Sequence, residues 1–173
     1  MRTAAVMATL AVALLVQTML AGTSIAAATV VNLVLVVVVY VALAYGAATG
    51  LLAGAAGGLL QDALAGGIVG IGSLPKTVIG FLVGVLGAQF IVSQPVPRFV
   101  MFVNATVVHE LCSQALYALV ESRPFQMHYS ATLTQAVVNG AIGLIAFQIV
   151  ERGPGLMQRR DSRRAAFSSR RRF

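Results

Sequence analysis

The sequence predicts an all-α integral membrane protein, a bundle of six transmembrane helices, and three observations carry that reading. First, 58% of the 173 residues are hydrophobic and 10% are charged, with a mean hydropathy of +0.89. A soluble domain carries roughly 25% charged residues, so much of this surface must face an apolar solvent. Second, glycine recurs at every fourth position at Gly46, Gly50, Gly54 and Gly58. In a water-exposed helix each interior glycine costs about 1 kcal/mol relative to alanine. In a bilayer the same spacing lets two helices approach closely. Third, arginine is one-sided: Arg152, Arg159, Arg160, Arg163, Arg164, Arg170, Arg171 and Arg172 crowd the last 22 residues, opposed there only by Asp161.

The first span, 4–22, begins as a secretory signal does, with Arg2, an apolar core and small residues through Ala26, Ala27 and Ala28. Cleavage there would remove one span. Its apolar run of 19 residues exceeds the usual core of about 7 to 15, and the segment is read as a retained helix. Spans two and three, 29–45 and 46–64, share a stretch with no charge from Thr29 to Leu60. A single helix over those 32 residues would be about 48 Å long, against a hydrocarbon core of about 30 Å. Two spans with a tight turn near Tyr45 are expected, and one long tilted helix is the alternative. The fourth span covers 74–92 and stops before Gln94-Pro95-Val96-Pro97, where proline removes donors and disfavours helix before it. The fifth, 99–120, ends at Glu121-Ser122-Arg123-Pro124, and the sixth covers 130–150. The division is a membrane domain over 1–151 and an arginine-rich tail over 152–173.

With both termini cytoplasmic, the inner side holds ten arginines, Arg2, Arg98 and the eight of the tail, against Lys76 and Arg123 outside. That is the asymmetry of the positive-inside rule. Five spans would instead set Arg2 opposite the tail. A basic tail can also engage nucleic acid. Directly after a hydrophobic segment its expected partner is anionic lipid, through Arg159, Arg160, Arg163 and Arg164, and no nucleic acid is expected. Trp is absent, leaving the interfacial belt to Tyr40, Tyr45, Tyr117 and Tyr129, and the single Cys112 excludes an internal disulfide.

Steps of four advance 400° around a helix, so Gly54, Gly58 and Asp62 stay near one face while Gly46 rotates away. Gly50, Gly54, Gly58, Gly80 and Gly84 are therefore candidates either for packing between spans or for a groove that takes a partner's membrane helix. Asp62 and Lys76 flank the glycine-rich 66–74 loop and are expected to pair as a clamp; a substrate or ion site is the alternative. On the fifth span Thr106, Glu110, Ser113, Gln114 and Tyr117 follow helical spacing on one face. Glu110 lies near mid-membrane, where a lone carboxylate is expensive. Thr132, Gln135 and Asn139 offer a matching face on the sixth span, giving a buried polar seam or a transport pathway. His109-Glu110 opens like a zinc-protease helix, but that motif needs a histidine four residues on, and Ser113 stands there. With no nucleophile–base set, P-loop or dinucleotide fingerprint, neither enzymatic activity nor a cofactor is expected.

Two stretches then point to a family: Gly54-Ala55-Ala56-Gly57-Gly58-Leu59-Leu60-Gln61-Asp62, and Gly70-Ile71-Gly72-Ser73-Leu74-Pro75-Lys76-Thr77-Val78-Ile79-Gly80-Phe81-Leu82-Val83-Gly84. Together they resemble the central signature of the MreD family, small rod-shape-determining proteins of the bacterial inner membrane. The resemblance implies a non-enzymatic scaffold of the peptidoglycan elongation machinery. Its partner would be an MreC-like protein with one membrane helix, and through it a RodA-like polymerase, a penicillin-binding transpeptidase and the MreB filament. The fold it implies is similar to the six-helix S-components of energy-coupling-factor vitamin transporters. An S-component-like substrate-binding subunit is accordingly the alternative function. Sparse outer-loop aromatics speak against a pocket for a flat vitamin.

Overall fold

The computed structural model describes residues 2–22, 30–66, 68–89, 94–122, 125 and 128–169, and beyond Glu151 it describes only the backbone. Among these residues the chain forms six helices: α1 (Arg2–Gly22), α2 (Leu33–Tyr45), α3 (Ala47–Ala65), α4 (Ser73–Gln89), α5 (Pro95–Glu121) and α6 (Tyr129–Ser169). Three stretches, Thr3–Gly22, Pro95–Glu121 and Tyr129–Glu151, are long and apolar enough to cross a membrane. Leu33–Tyr45 and Ser73–Gln89 are shorter apolar helices.

Several boundaries differ from the sequence reading for local reasons. Helix α2 starts at Leu33 because the Asn32 side chain accepts a hydrogen bond from the Leu35 N–H at 3.1 Å, an N-cap. The expected start at Thr29 lies outside the described residues. Helix α5 starts at Pro95, not Phe99, since proline in the first turn forfeits only an N–H that has no helical acceptor there. The backbone of α6 runs on to Ser169, into the arginine-rich stretch. The side chains of Arg159, Arg160, Arg163 and Arg164 lie outside the described residues.

The turn at Tyr45 is made by Gly46, at φ 88° and ψ 178°, a backbone region that side chains avoid. It reverses the chain, and α2 and α3 pack as an antiparallel pair, with Ala42 against Gly50 and Val34 against Gly57. Helix α2 is the centre of the molecule. Its Val34, Leu35, Val36, Val38, Val39, Val41 and Ala42 are all buried, and a helix apolar on every side is one enclosed by others. On one flank Val34, Val38 and Val41 meet Val6, Leu10 and Leu14 of α1 and Ala53 of α3. On the other, Leu35, Val36, Val39 and Ala42 meet Ile79 and Val83 of α4, Phe102 and Ala105 of α5 and Phe147 of α6. At 13 residues α2 is about 20 Å long, shorter than the span expected of it.

One end of the bundle is closed by Arg98, whose Nη2 donates to Glu151 Oε1 at 2.5 Å, joining the start of α5 to α6. The same guanidinium lies 4.5 Å from the centre of the Phe147 ring, a cation–π contact. Phe147 in turn meets Tyr40 at 4.5 Å and, edge to face, Phe102 at 6.2 Å between ring centres.

Candidate functional site

Helices α3 and α4 form an antiparallel hairpin whose seam is backbone against backbone. A Cβ added at Gly50 would strike the Gly80 carbonyl, one at Gly54 the Lys76 carbonyl, and one at Gly58 the Ser73 Cα. From the other side, a Cβ at Gly80 would strike the Gly50 carbonyl and one at Gly84 the backbone of Ala47. All five glycines are buried. Of the two roles the spacing allows, packing within the chain takes all five, and none lies on a surface open to a partner helix.

The hairpin is tied at its tip by Asp62. Its Oδ2 accepts hydrogen bonds from the backbone N–H groups of Gly70 (2.9 Å), Gly72 (3.1 Å) and Ser73 (3.0 Å). Ser73 is the first residue of α4, so the carboxylate also sits at the positive end of that helix. Gly72 admits this approach because a Cβ there would collide with the same carboxylate. Lys76 is 2% exposed, and its Nζ donates to the Gly72 carbonyl at 3.1 Å.

The expected Asp62–Lys76 ion pair is therefore corrected. Among the described residues an ion pair joins Arg98 to Glu151, and none joins Lys76 to Asp62. Three loop N–H donors already fill the carboxylate oxygen, while Lys76, one turn into α4, reaches back to the carbonyl of the same loop. Both charges hold one loop without touching each other.

Beyond this loop lies a polar column. The buried polar and charged side chains among the described residues are Asn32, Ser73, Lys76, Thr106, His109, Ser113, Thr132, Gln135 and Asn139. They come from the cap of α2, the start of α4, the middle of α5 and the first half of α6, all in the half of the bundle nearer the Asp62 loop. Fully buried Asn139 is its hub: Oδ1 accepts from the Asn32 N–H at 3.1 Å and Nδ2 donates to Thr106 Oγ1 at 3.4 Å. Asn139→Ala would leave the buried Asn32 N–H without an acceptor, at a cost of about 1–3 kcal/mol. Unfolding of the variant in mild detergent should show that loss.

On α5 the inward residues are Phe102, Ala105, Thr106, His109 and Ser113. Glu110 and Gln114 are half-buried at the flank and Tyr117 is exposed, so the face expected to centre on Glu110 is rotated toward His109. Glu110 Oε1 lies 3.3 Å from His109 Nδ1. As a metal ligand His109 lacks partners, and its place on the inward face is easily missed on that ground. The signal was present in the i, i+4, i+7 and i+11 spacing from Phe102. His109 interacts electrostatically with Lys76, Glu110 and Asp62, and Lys76 with both carboxylates. His109 Nε2, Ser113 Oγ and, on α3, Gln61 Oε1 are buried without a hydrogen-bond partner. Among the described residues no three or more His, Cys, Asp or Glu side chains are grouped to hold a metal ion.

A family model described as rod shape-determining protein MreD matches residues 1–152. No curated protein and no solved structure matches the chain.

Proposed function

Because the chain belongs to the MreD family of rod shape-determining proteins, we propose that it is a non-enzymatic scaffold of the bacterial cell-elongation complex, seated in the inner membrane and bound to an MreC-like partner. The observation that carries this reading is the family match over 1–152. The α3–α4 hairpin supports it: a seam of backbone contacts suits a rigid platform better than a moving part. Through the MreC-like protein the scaffold would reach a RodA-like polymerase, a penicillin-binding transpeptidase and the MreB filament. The tail arginines would rest on anionic lipid. Depletion should round rod-shaped cells, and purification in mild detergent should recover the MreC-like protein. Rod-shaped growth without the protein would overturn the reading.

In this proposal all six helices cross the bilayer with both termini cytoplasmic. Reporter fusions at Arg98 and Ser169 should read cytoplasmic, and fusions at Gly70 and Phe125 should read periplasmic. A periplasmic reading at Ser169 would break both the helix count and the charge argument.

One observation favours a second reading, an S-component-like substrate-binding subunit. The polar column holds His109 Nε2 and Ser113 Oγ without partners, and a small polar ligand engages such groups. That reading requires co-purification with ATPase subunits and a retained small molecule in place of the MreC-like protein.

A further inference from the structure

Asn104 lies on the exposed side of α5, the tenth residue of a helix long and apolar enough to cross a membrane. At the helical rise it stands about 9 Å beyond Arg98 and about 25 Å before Glu121, well within hydrocarbon depth. Polar side chains at that depth almost always face a bundle interior. Asn104 faces away from it.

Its Nδ2 donates to the Val100 carbonyl at 3.0 Å, which uses one of its two N–H groups. The second N–H and Oδ1 have no partner among the described residues, and lipid tails supply none. Beside it α4 and α5 leave a groove of about 100 Å³ walled by Leu82, Leu86, Met101 and Val108, with Ala105 at its floor. That is room for a side chain from a facing helix, with a polar group waiting at the rim.

We infer that this face is where two copies of the chain meet, with their Asn104 carboxamides paired across a two-fold axis along the membrane normal. A carboxamide is its own complement. The spare N–H donates to Oδ1 of Asn104 of the partner subunit, and Oδ1 accepts in return, so one residue answers both unmet demands. Leu82, Leu86 and Val108, each more than a third exposed in the single chain, are the side chains such a contact covers. The inference stands apart from the elongation reading, since it uses only groups of this chain.

The test is thiol trapping in native membranes of the full chain, with Cys112→Ser as background. Val108→Cys, which leaves Asn104 intact, should give a linked dimer with an oxidant or a short thiol-to-thiol linker. Leu133→Cys, on the exposed face of α6, should stay monomeric. Adding Asn104→Leu should leave accumulation unchanged, because the position is exposed, and lower trapping about five- to tenfold, the effect of losing two interhelical hydrogen bonds in a membrane. Asn104→Gln should restore it. Trapping no stronger at Val108 than at Leu133, indifference to Asn104→Leu, or linkage of position 108 to a different protein would each overturn the inference.

Discussion

Gly54→Leu should remove the folded protein from the membrane outright. The first added carbon would already lie within 3.0 Å of the Lys76 carbonyl carbon and oxygen, and three more carbons follow it. Overpacking costs about 1–3 kcal/mol where neighbouring side chains can give way. Here the obstacle is the backbone of α4, so relief requires shifting a helix that also contributes Ile79 and Val83 to the core. The loss should reach or pass the top of that range, against a total stability of about 5–15 kcal/mol. Gly58→Leu meets the Ser73 Cα and should behave alike. Gly22→Leu has open space around it and is the control. Quantitative immunoblots of membranes should show strong depletion of the first two variants and normal levels of the third. Normal accumulation of Gly54→Leu would mean that α3 and α4 do not touch along this seam.

Asp62→Ala should be the next most damaging change. It strips three backbone N–H groups of their acceptor at once, and bonds to a charged group are worth about 1.5–3 kcal/mol each. It also removes a negative charge from the start of α4, adding a fraction of a kcal/mol up to about 2 kcal/mol. Since the loop can rehydrate in part, a net loss on the order of 3 kcal/mol is expected. Asp62→Asn keeps one acceptor oxygen and should lose less. Lys76→Met should rescue either variant only in part, because the buried ammonium feels the Asp62 charge at a distance and not by contact. Thermal unfolding in detergent measures all four proteins. Full rescue by Lys76→Met would restore the direct ion pair and refute the loop-anchor geometry.

The fold was legible wherever a single residue type carries a backbone consequence. Gly46 turns the chain where the uncharged stretch is too long for one span, and the four-residue glycine spacing marks the seam that α4 fills. The site was less legible because side-chain chemistry was matched to side-chain chemistry. Opposite charge points from Asp62 to Lys76, yet backbone donors at a helix N-terminus outnumber one ammonium. Charge singles out Glu110 as the deepest polar group of its helix, while the helical phase belongs to Thr106, His109 and Ser113. Two contacts had no local signal: Asn32 with Asn139, separated by 107 residues, and Arg98 with Glu151, separated by 53. Such pairs arise from the antiparallel run of α5 and α6 and from the cap that starts α2, and they become visible only once the helices are placed side by side.

The closures at the two ends of the bundle differ in kind, and they answer differently to dissolved ions. The Asp62 end is knitted by short bonds to backbone N–H groups, which ionic strength scarcely alters. The opposite end depends on Arg98 and Glu151, and the Glu151 side chain is 52% exposed, so mobile counterions compete for it directly. At physiological ionic strength the screening length is about 8 Å, falling to about 3 Å at 1 M salt. Raising salt should therefore weaken the Arg98–Glu151 tie while the rings of Phe102 and Phe147 keep α5 against α6 and the glycine hairpin and its loop stay shut, so that dissolved ions reach one end of the bundle and not the other.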